Sequence, residues 1–301
     1  LSLIISLLSV FIFIVIQFYF GLSRLSSDEN LIFYESIVPI PSAESKQRCE
    51  TDSNIVESYE DINDICDLNS INQKHIIIIG DSHAINVSRV LDNYLETDTK
   101  IINLTGGSGK CLLFGKAFYE NTPCKEAFFE SLLNIIDNNS TVVVSARLPY
   151  WLEESRFNIL EGTAQSTNNI PIETILKTRL NLISQESKIT FLIYPIPSLD
   201  ESISSILPTP TEDIKSDVIT RIPEWKKDSL QSNIILSSIN SNSVVRIFPQ
   251  NILCEDSKNF KDGLDCSIVR DSEYLYYDDN HLSIYGNYLI LGELLQIINN
   301  K

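Results

Sequence analysis

The sequence is short of positive charge, of histidine and of methionine. Only 23 Lys and Arg stand against 40 Asp and Glu, which gives a net charge of −17 at pH 7. Proteins that bind nucleic acid neutralise phosphates with clustered Lys and Arg, so this balance argues against a nucleic-acid partner. The chain has only three histidines, so few side chains are candidates for a general base. Methionine is absent, and we therefore expect the chain to be part of a longer polypeptide.

The six cysteines contain no C-x-x-C pair, so the sequence predicts no metal site. Their short intervals suggest three sequential disulfides, which would place this part of the chain in an oxidising compartment. Six unlinked buried thiols, and the fourteen other ways of pairing the cysteines, remain open. The suggested pairs are Cys49 with Cys66, Cys111 with Cys124, and Cys254 with Cys266.

Residues 1–22, LSLIISLLSVFIFIVIQFYFGL, contain no charged side chain. As a helix with a rise of about 1.5 Å per residue they would span about 33 Å, which matches a hydrocarbon core of about 30 Å. The basic flank and small-residue cleavage site of a signal peptide are not visible. We expect one transmembrane helix at 1–22, followed at 23–73 by a polar linker with a disulfide-closed segment.

From residue 75 onward, short β-branched runs alternate with amphipathic stretches. This alternation is typical of an α/β domain whose parallel sheet is covered by helices on both faces. We predict a three-layer domain at 74–301 with about five parallel strands.

The predicted elements follow this alternation. The predicted strands are His75–Ile79, Lys100–Leu104, Thr141–Ser145, Ile189–Tyr194 and Val244–Phe248. The predicted helices are His83–Leu95, Cys124–Asp137, Ile172–Glu186, Glu224–Asn240 and Ser283–Ile298. Two further stretches, 195–223 and 254–279, are predicted to be surface excursions over the carboxyl edge of the sheet.

One serine lies at a predicted strand-to-helix bend, in the run HIIIIGDSHAINVS at 75–88. Four isoleucines favour a strand buried on both faces, and Gly80 and Asp81 supply turn chemistry before an amphipathic helix. Ser82 would then lie beyond the carboxyl end of a central strand and beside helix N-terminal N–H groups, which is a suitable place for a nucleophile. A lone Gly-Asp-Ser is more often only a helix cap, so the assignment needs support from elsewhere in the chain.

A serine nucleophile needs a base, usually a histidine oriented by a carboxylate. His75 lies at the wrong end of the strand, and adjacent helical side chains such as those of Ser82 and His83 diverge by about 100°, which leaves His281. Asp278 precedes His281 by three residues, so one turn can bring its carboxylate to the imidazole. Without Ser82, this pair would be interpreted as an acidic surface loop.

The blocks GDSH at 80–83 and DDNHLS at 278–283 resemble the first and last blocks of the SGNH hydrolase superfamily. Over about residues 74–300 the chain is more closely similar to the extracytoplasmic SGNH domain fused to bacterial acyltransferase-3 family O-acyltransferases. The resemblance implies a flavodoxin-like fold, with Ser82 as nucleophile, His281 as general base and Asp278 as its orienting carboxylate.

The resemblance also implies the setting of the domain. Residues 1–22 would be the last helix of an upstream acyltransferase-3 membrane domain in the same chain. That upstream domain would use an acyl donor such as acetyl-CoA, and the SGNH domain itself would bind no cofactor. The protein would lie in the bacterial inner membrane, with the SGNH domain on the periplasmic or extracytoplasmic side.

Donors for a tetrahedral oxyanion are also expected. The Ser82 N–H is one candidate, and Gly106 or Gly107 in the run NLTGGSG matches the second block of the superfamily, although this run is equally typical of an ordinary loop. In the third block, Ala-Arg stands where Gly-Asn is usual. Arg147 is therefore a candidate donor, Trp151 is a candidate for lining the acceptor subsite, and the plain alternative makes Arg147 a surface cation.

Together these features predict a serine-dependent O-acyltransferase that transfers an acyl group, most simply acetyl, to sugars of a cell-envelope polysaccharide or lipopolysaccharide through an acyl-serine. Hydrolysis is the same chemistry with water as acceptor, so a carbohydrate O-acetyl esterase is the alternative. A catalytically inactive glycan-binding domain is a second alternative. The weak third block favours it, and the intact first and last blocks argue against it.

Overall fold

The computed structural model describes residues 48–50, 75–95, 99–115, 126–152, 171–201, 203–206, 217–258 and 261–299. The predicted membrane helix at 1–22 and most of the predicted linker at 23–73 lie outside these ranges. Within them, no helix has the length and the apolar character needed to cross a membrane.

The described part of the chain contains two sheets. Its strands are β1 (Arg48–Glu50), β2 (His75–Gly80), β3 (Lys100–Leu104), β4 (Thr141–Ser145), β5 (Ile189–Ile193), β6 (Val218–Ile222), β7 (Val244–Ile247), β8 (Cys254–Asp256), β9 (Leu264–Arg270) and β10 (Glu273–Tyr274). Six of them form a parallel sheet in the order β1-β3-β2-β4-β5-β7. All five predicted strands are in it, and their order is flavodoxin-like, which confirms the predicted α/β class. The sixth, β1, falls within the predicted linker.

Helices cover both faces of the parallel sheet. They are α1 (Ser82–Tyr94), α2 (Gly107–Phe114), α3 (Glu126–Ile135), α4 (Leu148–Leu152), α5 (Ile172–Glu186), α6 (Ile203–Ile206), α7 (Trp225–Asp228), α8 (Leu230–Ser237), α9 (Pro249–Leu253), α10 (Ile284–Ile290) and α11 (Gly292–Asn299). Successive side chains of a strand point to opposite faces. Ile77 and Ile79 therefore pack with α2, α3 and α5, while Ile76 and Ile78 pack with α1, α10 and α11.

Two predicted helices are each divided in the structure. The predicted helix at 224–240 forms α7 and α8, which meet at Ser229, whose hydroxyl donates to the Trp225 carbonyl. The predicted helix at 283–298 forms α10 and α11, which meet just before Gly292, a residue with low helix propensity. The apolar periodicity continues across both breaks, so it did not reveal them.

The two stretches predicted as surface excursions contain a second, antiparallel sheet. Strand β9 pairs with β6, β8 and β10. Leu264, Cys266 and Ile268 alternate along β9 and belong to the same buried cluster as side chains of α1 and α10, so one face of β9 is packed against the core. The interpretation of 254–279 as only a surface excursion was therefore wrong. The alternation in LDCSIVR was a strand signal that this interpretation overlooked.

Candidate active site

The junction between β2 and α1 brings Ser82 to the carboxyl edge of the parallel sheet. Gly80 has a φ of 156°, and a Cβ at this position would lie 1.7 Å from the Ser145 carbonyl oxygen, so only glycine fits there. Asp81 caps the helix by accepting the His83 backbone N–H at 2.9 Å. Helix α1 then begins at Ser82, whose side chain is exposed. The serine thus lies on a sharp bend that is fixed by the close packing of Gly80 before it and by the helix cap of Asp81.

Ser82, His281 and Asp278 are in hydrogen-bonding contact, although Ser82 and His281 are 199 positions apart. The Ser82 Oγ lies 2.6 Å from the His281 Nε2, and the His281 Nδ1 lies 2.7 Å from the Asp278 Oδ2. The side chains of His281 and Asp278 are only 16% and 20% exposed. A nucleophile, a base and an orienting group require these separations.

Asp278 is held as a carboxylate by the turn that it begins. Its Oδ1 accepts the backbone N–H groups of Asn280 at 2.8 Å and of His281 at 2.6 Å, and its Oδ2 faces the imidazole. Burial alone would raise the pKa of Asp278, but the hydrogen bonds from the His281 ring and from these two amides outweigh it, and the pKa lies below its ordinary value. An ionised carboxylate can only accept, so Nδ1 donates; a neutral imidazole with this tautomer presents the Nε2 lone pair to Ser82.

The backbone around His281 is tied to its neighbours on both sides. The Tyr277 N–H donates to the His281 carbonyl at 3.1 Å, and the Ser283 N–H donates to the Leu275 carbonyl at 3.0 Å. Ser283 also caps α10 by accepting the Gly286 N–H at 3.0 Å. A Cβ on Gly286 would lie 2.2 Å from the Leu275 carbonyl oxygen, so glycine lets the helix start against this hairpin-like turn. The imidazole is therefore carried by a short, anchored segment.

Two helices begin at the carboxyl edge of the sheet, α1 after β2 and α2 after the neighbouring strand β3. Ser82 and Gly107 are the first residues of α1 and α2, so their N–H groups have no acceptor within their own helices. Gly106, with a φ of 63°, makes the turn into α2. A Cβ on Gly109 would lie 1.9 Å from the Gly80 carbonyl oxygen, so α2 packs closely against the end of β2. The Gly-rich run predicted as donor site or loop is therefore the start of a helix, whose N-terminal end favours negative charge.

The third block is connected to the first through Asp81, for which the sequence indicated only a place in a turn. Asp81 is 3% exposed, and its Oδ2 accepts the Arg147 backbone N–H at 2.8 Å and the Trp151 indole N–H at 2.7 Å. The Arg147 guanidinium lies 5.0 Å from the centre of the Tyr150 ring. The Arg147 amide is therefore already used, and a donor role for this residue would have to come from its guanidinium.

A disulfide joins Cys254 to Cys266 across β8 and β9, one of the three pairs suggested by the spacing. Cys111 is also disulfide-bonded. Cys49 lies in β1, and Cys66 and Cys124, the partners suggested for Cys49 and Cys111, lie outside the described residues. Among the described residues, no group of three or more His, Cys, Asp or Glu side chains is arranged to hold a metal ion.

Comparison with known proteins gives one family. The family model described as SGNH domain (fused to AT3 domains) matches residues 48–296. This range begins at β1 and includes Ser82, Asp278 and His281, the three side chains in contact at the carboxyl edge. No curated protein matches the chain.

Proposed function

The chain belongs to the family of SGNH domains (fused to AT3 domains), and on this premise we propose that it is a serine-dependent O-acyltransferase. Its acyl group would be acetyl in the simplest case, and its acceptor a sugar hydroxyl of a cell-envelope polysaccharide or lipopolysaccharide. The observation that carries the proposal is the 2.6 Å contact between the Ser82 Oγ and the His281 Nε2, with Asp278 on the far side of the imidazole.

In the first half-reaction, Ser82 attacks the carbonyl carbon of an acyl donor. His281 takes the hydroxyl proton at Nε2 as the new C–O bond forms, and the ionised Asp278 stabilises the resulting imidazolium. The tetrahedral intermediate collapses when the bond to the leaving group breaks, and His281 returns the proton to that group. The product is an acyl ester of Ser82.

In the second half-reaction, an acceptor hydroxyl takes the place of the leaving group. His281 removes the proton of this hydroxyl, and the acceptor oxygen attacks the acyl carbon. The bond between the acyl carbon and the Ser82 Oγ then breaks, and Ser82 regains a proton from His281. Because the side chain of Ser82 is exposed, an acceptor as large as a sugar in a glycan chain can approach the ester.

The tetrahedral oxyanion in both halves requires donors. We assign this role to the N–H groups of Ser82 and Gly107 at the starts of α1 and α2. The loss of one such donor typically costs about 10² to 10³ in rate. The Arg147 guanidinium is a third candidate, since its backbone amide is bound to Asp81. Trp151, which donates to the same carboxylate, would border the acceptor subsite.

The proposed setting is the outer side of a bacterial inner membrane. Residues 1–22 would form the last membrane helix of an upstream acyltransferase-3 domain, which would pass on an acyl group from a donor such as acetyl-CoA. The family description supports the fusion, and the disulfide between Cys254 and Cys266 supports an oxidising compartment.

A carbohydrate O-acetyl esterase is the second candidate, because water can reach the acyl ester of the exposed Ser82 as a sugar can. The two functions differ only in the acceptor. Incubation of the chain with an acetylated glycan and an unacetylated acceptor glycan separates them by mass spectrometry of the products. Transfer of acetyl to the acceptor supports the transferase, whereas release of acetate alone supports the esterase.

The same preparation tests whether the domain is an enzyme at all. A fluorophosphonate, which reacts with activated serines, should label the wild-type chain and leave Ser82→Ala unlabelled. A wild-type chain that binds glycans but does not react would favour a catalytically inactive binding domain.

A further inference from the structure

Helix α1 contributes two more side chains to the segment that carries His281. The His83 Nε2 lies 3.2 Å from the Asn280 Oδ1, and the Asn86 Nδ2 donates to the Tyr277 hydroxyl at 3.3 Å. His83 and Asn86 are three residues apart, and both are buried, at 2% and 3% exposure. The helix that starts at the proposed nucleophile therefore also contacts the base-bearing segment at two points.

Two of the side chains in these hydrogen bonds, Tyr277 and His83, also contact the imidazole ring of His281. The Tyr277 ring stacks on it, with centroids 5.2 Å apart and planes inclined by 11°. The His83 ring meets it edge-on, with centroids 4.9 Å apart and planes inclined by 64°. The position of the His281 ring is thus set by two aromatic neighbours, one on α1 itself and one bound to Asn86 of the same helix.

The hydrogen-bond pattern determines the tautomer of His83. The Asn280 Nδ2 donates to the Asp279 carboxylate at 2.8 Å, so the amide oxygen of Asn280 faces His83 and can only accept. A neutral His83 must then carry its proton on Nε2. Its Nδ1 is buried and has no hydrogen-bond partner among the described residues. Such a ring is a single fixed donor, and as a neutral group it does not repel the imidazolium that His281 becomes during the reaction.

We propose that His83, together with Asn86, is a positioning residue that holds the segment 277–281 so that the His281 imidazole stays aligned with Ser82. This inference rests on the proposed function, because it concerns the base of that reaction. His83 does not contact the reacting atoms; it acts through Asn280 and through the edge of the His281 ring. A displacement of a catalytic group by about 1 Å can cost about 10²-fold in rate.

The test compares His83→Leu with His83→Gln in the 301-residue chain, using hydrolysis of p-nitrophenyl acetate. Leucine fills the site without a donor, whereas a glutamine amide can still donate to Asn280. His83→Leu is expected to lower kcat about 10- to 100-fold while KM changes less than about twofold, and His83→Gln to recover kcat to within about fivefold of wild type. Equal impairment of the two variants, or a wild-type kcat for His83→Leu, would overturn the proposal.

Ser88→Ala is the matched control for a structural effect. Ser88 is a buried polar residue of the same helix, and its hydroxyl contacts Ile85 and Asn103 and not the His281 segment. It is expected to keep a wild-type kcat even if its melting temperature falls. A loss of kcat in Ser88→Ala as large as that in His83→Leu would contradict a specific role for His83.

If His83→Leu does not fold, Asn280→Ala removes the same hydrogen bond from the other side and should show the same selective loss of kcat. An unchanged kcat in that folded variant would overturn the proposal. The wild-type rate separates this failure from that of the proposed function. If fluorophosphonate does not label the wild-type chain, the proposed function fails; if it labels wild type and His83→Leu at equal rates, only the positioning role fails.

Discussion

Asp81 accepts the indole N–H of Trp151 at 2.7 Å across 70 positions of sequence. The same buried carboxylate accepts the backbone N–H groups of His83 and Arg147, at 2.9 and 2.8 Å. Asp81 therefore connects the helix that starts at Ser82 to the segment after β4. The residue next to the proposed nucleophile thus determines how two sides of the site meet.

Replacement of Asp81 by asparagine should weaken this connection. An amide has one acceptor oxygen where the carboxylate has two, so its NH₂ group would face at least one of the three N–H donors. We expect Asp81→Asn to lower the free energy of unfolding by about 1–3 kcal/mol and to lower kcat, as measured by urea unfolding and aryl acetate hydrolysis. Trp151→Phe removes only one donor and should cost less. Equal stability of Asp81→Asn and wild type would contradict this role.

Gly80 should tolerate no side chain. A methyl group there would lie 1.7 Å from the Ser145 carbonyl oxygen of the neighbouring strand β4, and neither backbone can yield without breaking the pairing of β2 with β4. We expect Gly80→Ala to lower the free energy of unfolding by about 3 kcal/mol or more, or to prevent folding.

Gly292→Ala is the matched control for that variant. A Cβ at Gly292 would have no neighbour within 4 Å, and the residue begins a helix. Its effect on the free energy of unfolding should stay within about 0.5 kcal/mol, measured in the same urea titration. A similar loss in both variants would show that close packing at the end of β2 is not the cause.

His83 should make the domain less stable in mild acid. Burial is the main cause that lowers its pKa, and the positive charge of a protonated His281 and that of Arg147 act in the same direction, while Asp81 and the bond to Asn280 oppose them. In the unfolded chain His83 binds a proton near pH 6.5, whereas in the folded chain it binds one only at lower pH. The contribution of neutral His83 to the free energy of unfolding is therefore complete above pH 6.5 and is lost as the pH falls below it.

His83→Gln should therefore show a smaller loss of unfolding free energy than wild type between about pH 7.5 and pH 5.5. The unfolding free energy of His83→Gln should still depend on pH to some extent, because burial and the charge of Lys100 also lower the pKa of His75. Urea unfolding at three pH values measures both slopes. An identical pH dependence in wild type and His83→Gln would show that His83 does not stay neutral in the folded state.

The strands of the parallel sheet could be predicted because their sequence pattern has a local cause. Strand β2 is covered on both faces, so all four isoleucines at 76–79 are apolar, and a continuous β-branched run is the expected signature. The antiparallel sheet was not predicted, because the alternation of its strand β9 was overlooked within a stretch that was interpreted as a surface excursion. Helix α2 was not predicted as a helix because it begins Gly-Ser-Gly, which is typical of a loop.

The candidate site divides in the same way. Ser82 and the pair Asp278 and His281 could be identified because each belongs to a short block whose spacing has chemical meaning. The contacts of Asp81 with Trp151 and of His83 with Asn280 span 70 and 197 positions, so no local sequence pattern predicts them. Adjacent placement on a helix excluded His83 as the base but carried no information about which distant side chain its ring would meet.

The most direct test of the proposed chemistry is the location of the acyl group after reaction with an acetyl donor. The chain is incubated briefly with p-nitrophenyl acetate, quenched in acid and digested, and the acetylated peptide is sequenced by mass spectrometry, with Ser82→Ala and His281→Asn in parallel. We predict one acetyl group on Ser82 in wild type, none in Ser82→Ala, and much slower acetylation in His281→Asn. Acetylation of another residue at the same rate in all three chains would contradict the account.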